Sequence, residues 1–183
     1  ILDLARATPQ SNSFRSEGWV DLDLESGPDW WEVEALYDLC FAPGRTALSS
    51  YRLRDDVPPV AGLCLTLRDD TGALAGAIRQ WPVRVGGAPC LLLGPVAVHP
   101  TRQGEGLARH LIRETVARAR GLGWERELLV GDAPYYQRLG FRKLSGVIMP
   151  PPTNPDRVLG LDLVEGAWRE VRGAATRFAD PWA

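Results

Sequence analysis

The chain has 183 residues, 45% hydrophobic and 24% charged, with a formal net charge of −2. That suits one well-cored domain. It supplies no global basic field to draw in nucleic acid or an anionic membrane, so any anion site must be local. No apolar run approaches the ~20 residues of a bilayer span. The opening ILDLARATPQ lacks the basic segment and long apolar stretch of a secretory signal, so a cytoplasmic protein is expected. Cys40, Cys64 and Cys90 lie far apart in apolar surroundings with no CxxC pair. They are expected as buried reduced thiols, with no metal site.

Residues 1–17 are polar and patternless and read as an arm. WVDLDLE (19–25) alternates like a half-buried strand. Asp29 is placed to cap a helix running to Phe41, with Trp30, Val33, Leu36 and Tyr37 at helical spacing. Pro43-Gly44 breaks it, and a second short helix is expected over 45–52, then a loop over 54–60. Strands follow over 62–69 and 73–85 as a hairpin, and over 89–98 after Gly86-Gly87. Leu107, Leu111, Ile112, Val116 and Ala119 form one helical stripe. RELLVGD (126–132) is a strand, so 90–131 makes a βαβ unit with parallel strands. A short helix (133–139), a strand (141–149), a Pro-rich loop (150–156), a strand (157–164) and a tail with one short helix complete the chain. The expected class is α+β: a mixed, mostly antiparallel sheet of about six or seven strands around a central parallel βαβ. The expected division is an arm (1–17), one domain (18–165) and a tail (166–183).

LLLGPVAV (91–98) is apolar on both faces, as a central strand is, yet contains Pro95. Proline cannot donate to a ladder, and beside Gly94 it implies a bulge. A bulge would bend this strand from its parallel neighbour and free main-chain groups of Val96 and Val98. An extended ligand with amide groups can enter such a gap. The turn that follows, QGEGLA (103–108), puts small residues where a helix begins. Free N–H groups and the positive end of the helix dipole favour an anion there. Arg102 and Arg109 flank it, and Glu105 is expected to point to solvent. An amide arm ending in a pyrophosphate is coenzyme A.

These residues resemble the GNAT superfamily of N-acetyltransferases. QGEGLA is similar to the family's Q/R-x-x-G-x-G/A signature. LLLGPVAVHPTRQGEGLARHLI with LLVGDAPYYQRLGF is similar to the YhbS-like branch. The resemblance covers roughly 60–148 and implies the GNAT-like acyl-CoA fold and acetyl-CoA as donor. It implies that Val96, Ala97 and Val98 meet pantetheine. It implies that the N–H groups of Gly104, Glu105, Gly106, Leu107, Ala108 and Arg109 hold the pyrophosphate, with Gln103 also among the cofactor contacts. Tyr136 has the spacing of the acid that protonates the departing thiolate, with Tyr135 as the alternative. Asp132 stands where the family often has a pantetheine-binding asparagine.

No carboxylate lies on 89–98 to act as base, and His99 reads as a turn residue, so proton loss through water is expected. Arg52, Arg54, Arg79, Trp81 and the 55–59 loop are candidates for the acceptor side. The mild acidity suits a cationic amine. Two functions remain open: an N-acetyltransferase acting on a small or protein amine, and a non-catalytic acyl-CoA-binding module. Trp30-Trp31 hints at a homodimer.

Overall fold

The computed structural model describes residues 12–16 and 18–178. In chain order the elements are β1 (Asn12–Ser16), β2 (Gly18–Leu24), α1 (Trp30–Phe41), β3 (Leu65–Asp69), β4 (Leu74–Val85), β5 (Ala88–Val98), α2 (Leu107–Gly121), β6 (Arg126–Val130), α3 (Ala133–Gln137), β7 (Arg142–Lys143), β8 (Val147–Ile148), β9 (Val158–Asp162) and β10 (Gly173–Arg177). The strands run in the order β1-β2-β3-β4-β5-β6-β9-β7, with β10 on β4 and β8 on β10. All pairs are antiparallel except β5–β6 and β8–β10. This is the expected α+β class with a parallel βαβ at its centre.

Ten strands replace the six or seven expected, for local reasons. Residues 12–16, inside the expected arm, pair with β2 in register from Asn12–Leu22 to Ser16–Gly18. The remainder of that arm, 1–11, lies outside the described residues. The expected strand 141–149 breaks into β7 and β8 around Gly146, whose φ is +80°. The tail forms β10 rather than a helix and pairs with β4 at Val83–Val85. Residues 45–52 form two 3-10 turns, 43–47 and 49–53, instead of a helix.

The helices cover opposite faces of the sheet. α1 buries Val33, Leu36 and Tyr37 against Ala77 and Ala97. Asp29 precedes α1 as expected, but its carboxylate does not cap it. It accepts from Ser26 N (2.8 Å), Ser26 Oγ (2.6 Å) and Arg68 Nη2 (2.8 Å). α2 buries Leu107, Leu111, Ile112, Thr115, Val116 and Ala119 against Ile78, Leu91 and Leu129. It stops at Gly123, with Trp124 N–H reaching Ala119 O (3.0 Å) and Gly123 N–H reaching Arg120 O (3.0 Å). That double return is a Schellman ending, which wants glycine at the left-handed position; φ of Gly123 is +83°.

Beneath α2 lies a sealed polar cluster. Gln80 Nε2 donates to Glu127 Oε1 (2.8 Å) and Thr115 Oγ1 (3.0 Å), and Thr115 Oγ1 donates to Leu63 O (3.2 Å). Glu127 Oε2 and Gln80 Oε1 are enclosed without partners. Burial pushes the Glu127 carboxyl up to about 7, against the opposing pull of Gln80 and Arg120. Its folded value exceeds the unfolded one. The stability it contributes is therefore full below the ordinary carboxyl range and is lost as pH rises through about 7. Glu127→Gln removes the charge and keeps the shape. In urea unfolding it should match the parent near pH 5 and exceed it near pH 8, by on the order of 3 kcal/mol.

Candidate functional site

β5 carries one extra residue. Ile78 pairs with Val96, but Gln80 pairs with Leu93, so Gly94 and Pro95 face only Arg79. The insertion reverses the alternation of side chains. Before it, Leu91 and Leu93 face α2; after it, Val96 and Val98 do, while Ala97 faces α1. Pairing with β6 is registered only at Leu91–Glu127 and Leu92–Leu128, so the two strands part beyond that point, as expected. Two α1 side chains hold the bent strand. Tyr37 donates its hydroxyl to Pro95 O (3.2 Å) and Cys40 Sγ donates to Val98 O (3.4 Å).

His99 N–H reaches Ala75 O (2.9 Å). Alternation along an antiparallel ladder then turns the main chain of Ala97 toward β4, and that of Val96 and Val98 toward the parted side. Of the three strand residues expected to meet a ligand, Ala97 therefore offers β4 its main chain and α1 its side chain. The carbonyl of Val98 is also taken, by Cys40 and at 3.5 Å by Gln103 Nε2. Val96 and the Val98 N–H remain directed at the gap.

A cleft of about 410 Å³ opens at the end of β5, lined by Val98, Gln103, Gly104, Gly106, Ala108 and Arg109 on one side and Tyr135, Arg138 and Leu139 on the other. Gly104 (φ +89°) and Gly106 (φ +82°) hold left-handed backbone that disfavours any side chain. A Cβ at 104 would meet no atom within 4 Å, so the glycine borders open space and not packed chain. The first N–H groups of α2 have no intrahelical acceptor and face this space with the dipole behind them. Leu107 is buried in the core and can contribute only its main chain. Glu105 is not turned freely to solvent. It accepts from Arg102 Nε (2.8 Å) and Nη2 (2.9 Å), and Asp69 stands 3.7 Å from Arg102 Nη1. Arg102 is thus largely neutralised, and the local positive charge comes from Arg109 and from Arg138, which the sequence reading did not single out.

A second cavity of about 250 Å³ lies where β5 and β6 part. It is lined by Leu93–Val96, Leu129–Asp132 and Tyr136, with Arg45, Tyr51, Arg54 and Arg157 around them. Tyr136 packs edge-on against Phe141 (5.7 Å between centroids) and Tyr135 (5.0 Å). Burial pushes its hydroxyl up to about 12. The two tyrosines separate: Tyr136 belongs to the gap and Tyr135 to the glycine-turn cleft. Asp132 begins α3 and lines the gap beside Tyr136. His99 Nδ1 lies 2.7 Å from Thr101 Oγ1 in the turn after β5, the place of a turn residue.

On the α1 face, Arg79 is 1% exposed. Its Nε and Nη2 pair with Glu25 (2.8 and 2.6 Å), its Nη1 with Glu34, and Trp30 covers it at 3.9 Å. Glu34 also pairs with Arg45, which donates to Asp38 (2.9 Å) and Tyr51 (2.8 Å). Trp81 gives its indole N–H to Val57 O (3.0 Å). Arg79 and Trp81 are therefore frame; Arg52 bonds Pro151 O (3.1 Å) at the surface. Of the acceptor candidates named by sequence, Arg54 alone lines the gap cavity, while Val57, Pro58 and Pro59 of the 55–59 loop line a separate space on the α1 face. Arg45, Tyr51 and Arg157 come from separate stretches, and no local pattern marks them. Cys64 and Cys90 are buried, their thiols pushed up to about 11 and about 12 by burial, and Cys40 is half-buried.

The model of the acetyltransferase (GNAT) family matches residues 30–141. The chain belongs to the GNAT acetyltransferase family. It is 32% identical over 111 residues to YhbS of Escherichia coli K12, an uncharacterised N-acetyltransferase, covering 60% of this chain and 65% of YhbS. That sequence match thus spans slightly less than two thirds of YhbS. The crystal structure of E. coli YhbS in complex with CoA superposes with a TM-score of 0.73 at 24% identity, covering 94% of this chain and 93% of YhbS. A GNAT acetyltransferase of Brucella melitensis in complex with acetyl-CoA superposes with a TM-score of 0.65 at 27% identity, covering 87% and 96%. These neighbours share the open, mostly antiparallel sheet with few helices. Among the described residues no helix is long and apolar enough to cross a membrane, and no cluster of metal-ligating side chains occurs.

Gly131 sets the position of Tyr136. A Cβ there would stand 2.5 Å from Tyr136 Cε2 and 2.8 Å from Leu129 Cδ1. Gly131→Ala should cost about 1–3 kcal/mol in urea unfolding by overpacking. The loss should be partly relieved in a Gly131→Ala/Tyr136→Ala double variant, a coupling that a thermodynamic cycle measures directly.

Proposed function

We propose that this protein is an N-acetyltransferase that moves acetyl from acetyl-CoA directly to a primary amine. The observation that supports it most is the succession of two cavities along the second half of β5. One lies at the glycine turn and is lined by Val98 and Gly104, and the other lies between the parted strands and is lined by Val96 and Tyr136. The residues fit the donor. The N–H groups across Gly104–Arg109, with Arg109 and Arg138, suit the pyrophosphate. Gln103 and Asp132 border the path, and Val96 with the Val98 N–H offers main-chain partners for the amide arm. Acetyl-CoA, when bound, supplies an activated acetyl group as a thioester.

In this reading the chain orients the carbonyl through a β5 N–H, which stabilises the oxygen as charge builds on it. The acceptor nitrogen forms the C–N bond, the C–S bond breaks, and the nitrogen's proton leaves for the sulfur or for water. Tyr136 faces that sulfur. With its hydroxyl pushed up to about 12, it stays protonated at working pH and is a weaker acid than a free tyrosine. Its part is to hold a proton against the departing thiolate, with the net proton supplied by the acceptor ammonium. We place the reaction in the cytoplasm, and propose Trp31, 71% exposed on α1, as the centre of any homodimer contact.

Two variants test the two halves. Gly104→Val puts its Cβ into open space, with no atom of the chain within 4 Å of that carbon. Calorimetry should show acetyl-CoA affinity down by about 100-fold or more, and urea unfolding of the same variant reads its backbone strain of about 1–3 kcal/mol separately. Tyr136→Phe should keep acetyl-CoA affinity and lower kcat about 10²-fold in a thiol-release assay. The parent should show no activity loss from Tyr136 ionisation below pH ~10. Tight acetyl-CoA binding with no amine-dependent thiol release across a broad panel would leave a binding module instead.

A further inference from the structure

Arg54 is the unusual group of the gap cavity. Its guanidinium is held between the rings of Tyr51 (4.1 Å) and Trp81 (4.8 Å). Its Nε and Nη1 are enclosed with no hydrogen-bond partner. The neighbouring cations differ. Arg79 is matched by Glu25 and Glu34, and Arg45 by Glu34 and Asp38. Among the described residues no carboxylate stands within ion-pair distance of Arg54 or of Arg157, whose Nε reaches only the Gly131 carbonyl (3.3 Å). Arg54 also lines a third space of about 420 Å³ on the α1 face, between Trp30, Pro58 and Trp81. It therefore stands at the wall between the gap and the α1-side pocket.

Enclosed guanidinium N–H groups without a partner are costly; burial lowers the pKa of Arg54, with the Tyr51 hydroxyl pulling the other way. A partner from outside the chain would remove the cost. On the reading above, the donor brings its charge to the glycine turn, while its amide arm and thioester are neutral, so the donor does not supply an anion here. The acceptor remains. We infer that the acceptor is a small amine that also carries a carboxylate, and that Arg54 is the residue that selects it. The planar fork of a guanidinium matches a carboxylate, and the cavity volumes suit a metabolite. The cavity, not the net charge of −2, sets the preference, so a cationic polyamine is disfavoured.

This inference rests on the proposed acetyl transfer, and the experiment separates the two. Amino carboxylates of graded length, their carboxamide counterparts and polyamines are compared by thiol release. Binding of the same compounds is measured by calorimetry with and without CoA. The parent should prefer amino carboxylates to their amides by about 100-fold in kcat/KM, the worth of a hydrogen bond to a charged group. Arg54→Gln should erase that preference by raising KM for the carboxylate, with acetyl-CoA affinity unchanged; Arg54→Lys should keep part of it. Equal use of amides or polyamines overturns the inference, as does an unchanged preference in Arg54→Gln. So does the absence of both turnover and binding for every carboxylate while CoA binds. Failure to bind acetyl-CoA, with carboxylate binding retained, would instead overturn the donor half.

Discussion

One extra residue in β5 sets the terms for the rest of the molecule. An uninterrupted strand would pair with β4 and β6 over its whole length and leave no room between sheet strands. With Gly94 and Pro95 opposite Arg79 alone, β5 keeps β4 and leaves β6 after Leu92. The same insertion exchanges the faces, so that Val96 and Val98 continue the α2-side core begun by Leu91 and Leu93. Proline suits the position because it has no N–H to leave unpaired. Tyr37 and Cys40 take carbonyls that the bend turns away from the ladder.

The α1 face answers a different physical problem. A strand that bends there cannot be backed by apolar side chains alone, because Arg79 lies opposite the bend. Glu25 from the end of β2 and Glu34 from α1 enclose it, and Glu34 passes the connection to Arg45. Such a network adds little net stability over apolar packing, but removing one member leaves a buried charge unpaired, at a cost of about 3–5 kcal/mol. It therefore acts as a fixed frame that joins β2, α1, β4 and the 43–53 turns. Arg54 stands outside that pairing, and this sets it apart from its neighbours Arg45 and Arg79.

Much of this was legible in the chain itself, for reasons that can be named. Periodicity marked α1 and α2 because each has apolar residues at helical spacing, and the central strands stood out as apolar runs. Gly94-Pro95 and QGEGLA were legible because few backbones require such residues. The short strands were not. β1 and β10 owe their form to partners, β2 and the end of β4, and carry no strong pattern of their own. On the site, Tyr136 and Asp132 follow a local motif. Arg138, Arg45 and Arg157 meet the cavities only through tertiary placement, and the neutralising of Arg102 by Glu105 needs side-chain geometry. Ala97 shows the limit of strand reasoning: its register turns its main chain to β4.

The free edge of β4 is divided between two strands that are far apart in the chain. β3 pairs with Leu74–Ile78 and β10 with Val83–Val85. Between them the edge is closed by a loop, with Val60 N–H on Gln80 O (2.9 Å), the Trp81 indole on Val57 O, and Pro82 needing no acceptor. An open stretch of central strand is a template for aggregation, so this loop is a guard as well as a wall. The segment just before it carries Arg54. Changes that reshape residues 54–60 therefore also uncover sheet edge, which ties this wall of the cavity to the chain's solubility. Selection on the pocket and selection against self-association act on the same few residues.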